Sequence, residues 1–189
     1  MVPHLLTRVR QAPDRLLHSV RRRAALSMVA DRRRPASVLV VCHGNICRSP
    51  FAAAALRKAL AGTAIEVASG GFIGPDRRPP AEAVLVAARC GIDLSGHRSR
   101  LLVRDLVLGA GLVVVMDPDQ RRAVCERFGP YPRDVLVLGD LDPEPVESRG
   151  IRDPVDQPAE VFADVYARLE RCVGALAAAL KRLPEERAP

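Results

Sequence analysis

The chain has 189 residues, a net charge of +7, 48% hydrophobic residues and 3% aromatics with no Trp. That length suits one α/β domain of about 150 residues plus an extension, with an aliphatic core of Ala, Val and Leu. No apolar run nears the ~18 residues of a spanning helix, no secretory h-region is visible, and five cysteines without a repeating spacing argue against a secreted disulfide framework.

A reducing cytoplasm is the expected setting. The basic charge would suit nucleic acid, but its location does not. Residues 1–35 carry nine Arg against two Asp, a local +7, and leave 20 basic and 20 acidic residues behind them. The domain behind the extension is neutral overall, so no nucleic-acid partner is expected.

Pro13 suits a first helical position and Asp14 a first turn. Leu16, Leu17, Val20, Ala24 and Met28 then recur at helical spacing among arginines. This predicts a basic amphipathic helix over Pro13 to Val29 and a linker over Asp31 to Ala36. Residues 1–36 are assigned to the extension and 37–189 to the domain. Three arrangements are open for the helix: docking on this domain or an acidic partner, lying on an anionic membrane surface, or staying without fixed structure. Its Arg-rich, acid-poor start is also shared with organelle transit peptides.

From Ser37 onward strands and helices alternate. Val38–Val41, Ile65–Ser69, Leu112–Met116 and Val135–Leu138 read as short buried strands. Between them fall helices over Pro50–Leu60 and Ala81–Cys90, the latter ended by Gly91, and a helix capped by Asp117, started by Pro118 and stopped by Gly129. Gly70 to Pro75 reads as a flexible loop. A Pro- and Asp-rich loop covers Gly139 to Pro158, and a long helix from Ala159 to Leu183 closes the chain. The alternation implies right-handed crossovers and an open four-stranded parallel sheet with helices on both faces, which binds ligands at the carboxyl ends of its strands.

One stretch carries chemistry. Val41-Cys42-His43-Gly44-Asn45-Ile46-Cys47-Arg48-Ser49-Pro50 joins the first strand to the first helix through a tight turn. That geometry gathers the backbone N–H groups of His43, Gly44, Asn45, Ile46, Cys47 and Arg48 around one small space. Arg48 adds a bidentate fork for an anion, and the same positive field favours a thiolate at Cys42. Asn45 suits a left-handed turn position. Cys42, His43 and Cys47 are too crowded for a tetrahedral centre, so neither a metal nor a cofactor is expected.

A lone Cys-x5-Arg is weak, but the strand, the turn residues and Ser49-Pro50 opening a helix make it specific. The stretch resembles the signature of the low-molecular-weight protein tyrosine phosphatases, and the resemblance covers roughly Ser37 to Leu183. It implies a flavodoxin-like sheet and metal-independent hydrolysis of phosphotyrosine in proteins through a cysteinyl-phosphate. It implies that Asp153, in Ile151-Arg152-Asp153-Pro154, is the general acid, with Asp142 and Asp156 as fallbacks. By resemblance Ser49, Ser69 and His97 support Asn45 and the thiolate, and Cys47 forms a reversible disulfide with Cys42 under oxidation. Phe72 and Val155 are expected on the loops beside the substrate, where many members carry aromatic residues after the Asp-Pro pair. Tyr131 would contribute only if its loop reaches the site, and Arg77 and Arg78 are placed to attract acidic residues near a phosphosite.

Three alternatives accompany that reading. Arsenate reductases of this fold need two further relay cysteines near the third strand, where this chain reads Val115-Met116-Asp117-Pro118 with Cys125 nearby. Protein-arginine phosphatases typically have Thr at the position of Ile46. A non-catalytic phospho-binding module would be expected to lose the nucleophile or Arg48, and both are present.

Overall fold

The first strand is the middle of the sheet. Strand β1 (Ser37–Cys42) pairs in parallel with β2 (Glu66–Gly71) on one side and β3 (Leu112–Val115) on the other, and β4 (Val135–Val137) extends the sheet beyond β3. The computed structural model describes residues 14–184. Its order, β2-β1-β3-β4, reverses direction at β1, which makes the carboxyl end of β1 the topological switch point. This is the parallel, doubly wound architecture expected from the sequence.

The helices are α1 (His18–Ala30), α2 (Arg48–Ala59), α3 (Ala81–Arg89), α4 (Arg104–Leu108), α5 (Pro118–Phe128) and α6 (Ala159–Lys181). Side chains of a strand alternate between faces, and β1 divides accordingly. Val38, Val40 and Cys42 join the core shared with α1, α2, α3 and α6, whereas Leu39 and Val41 join a smaller core under α4 and α5. Phe51 of α2 stacks on Tyr166 of α6 at a centroid distance of 3.9 Å, and Phe162 meets the same ring edge-on at 6.0 Å. Such ring pairs add about 0.5–1.5 kcal/mol each beyond the area they bury, which ties α2 to the closing helix despite the aromatic-poor composition.

Several boundaries differ from the sequence reading. Gly70 and Gly71 are strand residues rather than a loop, because β2 runs flush against the turn after β1. A Cβ on Gly71 would lie 2.8 Å from the Asn45 nitrogen, so only glycine permits this approach. Helix α4 was not expected, and β4 passes into a 3-10 turn at Leu138–Leu141. The Asp117 cap is present: its carboxylate accepts from the Gln120 N–H at 2.7 Å, and Gly129 ends α5 with φ 82°.

Helix α1 is docked on the domain. Ala25 and Val29 lie in the main core, and His18 is buried. Leu16, Leu17 and Val20, expected on the apolar face, are exposed instead. Pro13, the expected start, lies outside the described residues. No helix among the described residues is long and apolar enough to cross a membrane.

Candidate active site

Cys42 is the last residue of β1 and faces the core side, with 2% of its surface exposed. The chain then turns through five residues, and α2 begins at Arg48. Cys47 at the helix start makes no side-chain cap, so it satisfies none of the first-turn N–H groups of α2. The sulfur itself accepts from the Asn45 N–H at 3.2 Å and from the Ser49 hydroxyl at 3.0 Å.

Asn45 holds this turn together. It is fully buried with φ 51°, the left-handed conformation that Asn tolerates. Its Nδ2 donates to both Ser49 Oγ and Ser69 Oγ at 2.9 Å, and its Oδ1 accepts from the Arg100 N–H at 2.7 Å. His97 Nε2 donates to the Asn45 carbonyl at 2.8 Å. The structure therefore brings Ser49, Ser69 and His97 together around Asn45. The Arg100 amide is a further member that no side-chain motif could have signalled.

Arg48 is 4% exposed. Nη1 donates to the Ile151 carbonyl at 3.0 Å, and Nη2 is bonded to the Asp153 carboxylate. Its Nε is buried without a partner among the described residues. A buried donor of a charged group carries a desolvation cost that an anion beside it would relieve.

Beside this space runs a cleft of about 700 Å³, lined among others by Arg48, Asp153, Phe72, His43, Asp117 and Arg127. Phe72 stands under the Arg127 guanidinium at 5.4 Å from the ring centroid. Helix α5 thus supplies one wall, a contribution missed from sequence because Arg127 belongs to no motif. The His43 carbonyl accepts from the Phe72 N–H at 2.8 Å, which fixes the ring's loop to the turn, while the His43 side chain is exposed on the cleft.

Other expected residues lie elsewhere. Val155 packs against the main core rather than lining the cleft. Tyr131 is 68% exposed beneath the Arg133 guanidinium and is likewise not a lining residue. Asp142 cannot serve as a proton donor: it is fully buried and accepts from Arg168 and Arg171, each at 3.1 Å. Asp156 is exposed with φ 59°. Asp153 alone of the three candidates reaches the turn. Arg77 approaches the turn near Gly44, where a Cβ would lie 3.1 Å from its Nη1.

Cys47 is a free thiol beneath the turn, with its pKa pushed up to about 12 by burial and then by Cys42. Burial and the neighbouring Cys47 and Cys42 likewise push up the phenol of Tyr166. No group of His, Cys, Asp and Glu among the described residues could hold a metal ion.

Residues 37–186 match the family described as "Low molecular weight phosphotyrosine protein phosphatase". The chain belongs to this family. It is 39% identical over 139 residues to a Ralstonia solanacearum protein named "Probable low molecular weight protein-tyrosine-phosphatase EpsP", covering 74% of this chain and 92% of that one. It is 34% identical over 145 residues to the low-molecular-weight protein-tyrosine-phosphatase Wzb of Escherichia coli, covering 76% and 95%. Among solved structures, the YwlE arginine phosphatase of Geobacillus stearothermophilus superposes with a TM-score of 0.68 at 31% identity, covering 77% of this chain and 92% of that one. The phosphatase is thus an enzyme whose family part begins at β1 and leaves α1 outside the match.

Proposed function

We propose that this phosphatase hydrolyses phosphotyrosine in proteins, with Cys42 as the nucleophile and Asp153 as the general acid and then the general base. The Cys42 thiolate attacks phosphorus in line, forming an S–P bond as the P–O bond to the tyrosyl oxygen breaks. Asp153 gives its proton to that oxygen, which leaves as neutral phenol. Water then attacks phosphorus, Asp153 takes its proton, and the S–P bond breaks to return thiolate and release phosphate. The turn amides and Arg48 hold the equatorial oxygens throughout, which is where most of the stabilisation arises.

The observation that carries this reading is that Asp153, from a distant loop, is bonded to Arg48 of the same turn that holds Cys42. The Cys42 sulfur is bonded by Asn45 and Ser49, and Arg48 behind it is bonded to Asp153. The names of the EpsP and Wzb relatives support tyrosine. The five free cysteines suit a reducing, cytoplasmic setting.

The arginine-phosphatase neighbour favours a second reading, phosphoarginine hydrolysis at the same site. Ile46, buried in the turn, separates the two, since an apolar branched side chain offers no hydrogen bond to a phosphoramidate where a threonine would. Turnover of phosphotyrosine, phosphoserine and phosphoarginine peptides should be compared side by side. Tyrosine is expected to lead by at least about tenfold; faster turnover of phosphoarginine would replace the first reading with the second. Cys42→Ser should abolish all of it.

A further inference from the structure

The segment before the family match is tied to one stretch of the domain, and that stretch leads to Asp153. Asp14 bonds Arg21 with one carboxylate oxygen, while the other accepts from the Arg149 N–H at 3.2 Å. One turn along, His18 donates from Nε2 to the Asp142 carbonyl at 3.0 Å. Both contacts cross from residues outside the 37–186 match into the 140–150 turn.

That turn is closed by its own ion pairs. The Arg149 guanidinium holds Asp140 with two bonds, at 2.6 and 2.7 Å. Arg168 joins the Asp142 carboxylate to the far side of the turn, donating to the Ser148 carbonyl at 2.7 Å and the Gly150 carbonyl at 2.9 Å. A Cβ on Gly139 would collide with the Arg149 carbonyl, so the two limbs of the turn are in direct backbone contact. Beyond Gly150, the Ile151 N–H bonds the Met116 carbonyl at 2.9 Å and its carbonyl receives Arg48. Asp153 follows two residues later.

The arm from Asp142 to Pro158 contains no helix or strand. Its shape is therefore set by contacts made to it, because an irregular segment has no ladder of its own to oppose its conformational entropy. Arg48 of α2 and Arg168 and Arg171 of α6 fix it from the domain side. The N-terminal segment fixes the turn from the other side.

We propose that the N-terminal segment is a brace for the arm that carries Asp153, with Asp14 and His18 as positioning residues for proton transfer. This rests on the reading of Asp153 as the general acid. A carboxylate displaced by about 1 Å loses much of its effect on the leaving oxygen, whereas nucleophilic attack by Cys42 does not depend on it. Loss of the brace should therefore appear as a selective loss of activity on esters with poor leaving groups and leave the anion cradle intact.

The test uses the full chain carrying His18→Leu, which keeps bulk without the donor, His18→Gln, which restores a donor, and Asp14→Ala. Each is assayed on phenyl phosphate, a poor leaving group, and 2,4-dinitrophenyl phosphate, a good one, beside Asp153→Ala. Expected for His18→Leu and Asp14→Ala is a fall in kcat/KM of about tenfold for phenyl phosphate and less than about twofold for the dinitrophenyl ester. His18→Gln should recover most of the loss, and His18→Leu added to Asp153→Ala should cost nothing further, as befits one pathway. If Asp153→Ala is selective but the brace variants affect both esters alike or neither, the brace is overturned while the acid stands. If Asp153→Ala itself reduces both esters equally, the acid assignment falls and the brace with it. Asp14 is partly exposed and lies outside the core, so its variant keeps the test decisive should His18→Leu fail to fold.

Discussion

Arg48 and Asp153, 105 residues apart in sequence, are hydrogen-bonded to each other, a buried cation meeting a carboxylate that is 41% exposed. The pair puts the anion-holding fork in contact with the proposed acid. A phosphate dianion in the cradle competes with Asp153 for Nη2 and is repelled by its charge.

Removing that charge should strengthen oxyanion binding even as it slows turnover. Asp153→Asn is expected to bind vanadate or phosphate about three- to tenfold more tightly than the parent, read by inhibition of a good-leaving-group ester. Weaker binding in the variant would mean that Asp153 supports the anion instead of competing with it.

Gly71 sits where β2 passes the turn, with an added Cβ 2.8 Å from the Asn45 nitrogen and 2.9 Å from the His43 carbonyl oxygen. Both neighbours are backbone and cannot swing aside. Gly71→Ala should cost about 1–3 kcal/mol of stability, as overpacking of a close contact does, and reduce kcat/KM because the displaced atoms belong to the cradle. A thermal melt and a rate within error of the parent would show that the turn yields freely.

Asn45 combines an unusual backbone angle with three side-chain hydrogen bonds, to Ser49, Ser69 and the Arg100 N–H, so two substitutions separate the contributions. Asn45→Gly keeps the φ of 51° accessible but strands the groups of Ser49, Ser69 and Arg100. Asn45→Ala adds the left-handed penalty of roughly 1 kcal/mol to that loss. Both should fall at least about tenfold in activity, with Ala the less stable by denaturant titration. Equal stabilities would indicate that the turn has relaxed out of the left-handed region.

Cys47 should be inert where Cys42 is reactive. With a pKa pushed up to about 12 from an ordinary 9.0 by burial and then by Cys42, Cys47 is held as the thiol near neutral pH. Iodoacetamide followed by peptide mass spectrometry should label Cys42 and leave Cys47 unmodified; comparable labelling of both would contradict the buried, protonated placement. The sign for stability follows: above about pH 9 an unfolded chain releases this proton while the folded one keeps it, so the contribution of Cys47 turns unfavourable as pH rises.

Much of the site was legible because its determinants are local. A buried strand ending at Cys42, a short turn with Asn45 and a helix opening at Arg48 lie within a dozen residues. Asp117 and Gly129 were equally plain as cap and stop. What escaped depends on distant neighbours. Gly70-Gly71 resembled a loop because glycine is poor in strands, and only the turn packed against it explains why nothing larger fits. Asp142-Pro143 and Asp153-Pro154 carry the same dipeptide, yet Arg168 and Arg171, a helix away, bury the first and leave the second free to reach Arg48. Helix α4, with five residues, is too short to show a period. For α1 the sequence left docking on this domain, a partner or a membrane open, and Ala25 and Val29 of its buried side pack into this domain's core.

The central claim, that Cys42 carries the phosphoryl group and Asp153 moves the protons, is tested most directly by trapping the intermediate. In Asp153→Ala a dinitrophenyl ester still phosphorylates the thiolate, because its leaving group needs no proton, but the water step lacks its base. Rapid acid quench and mass spectrometry should then find phosphate accumulated on the peptide containing Cys42. Steady turnover with no phosphate on Cys42, or with phosphate on another residue, would contradict the account.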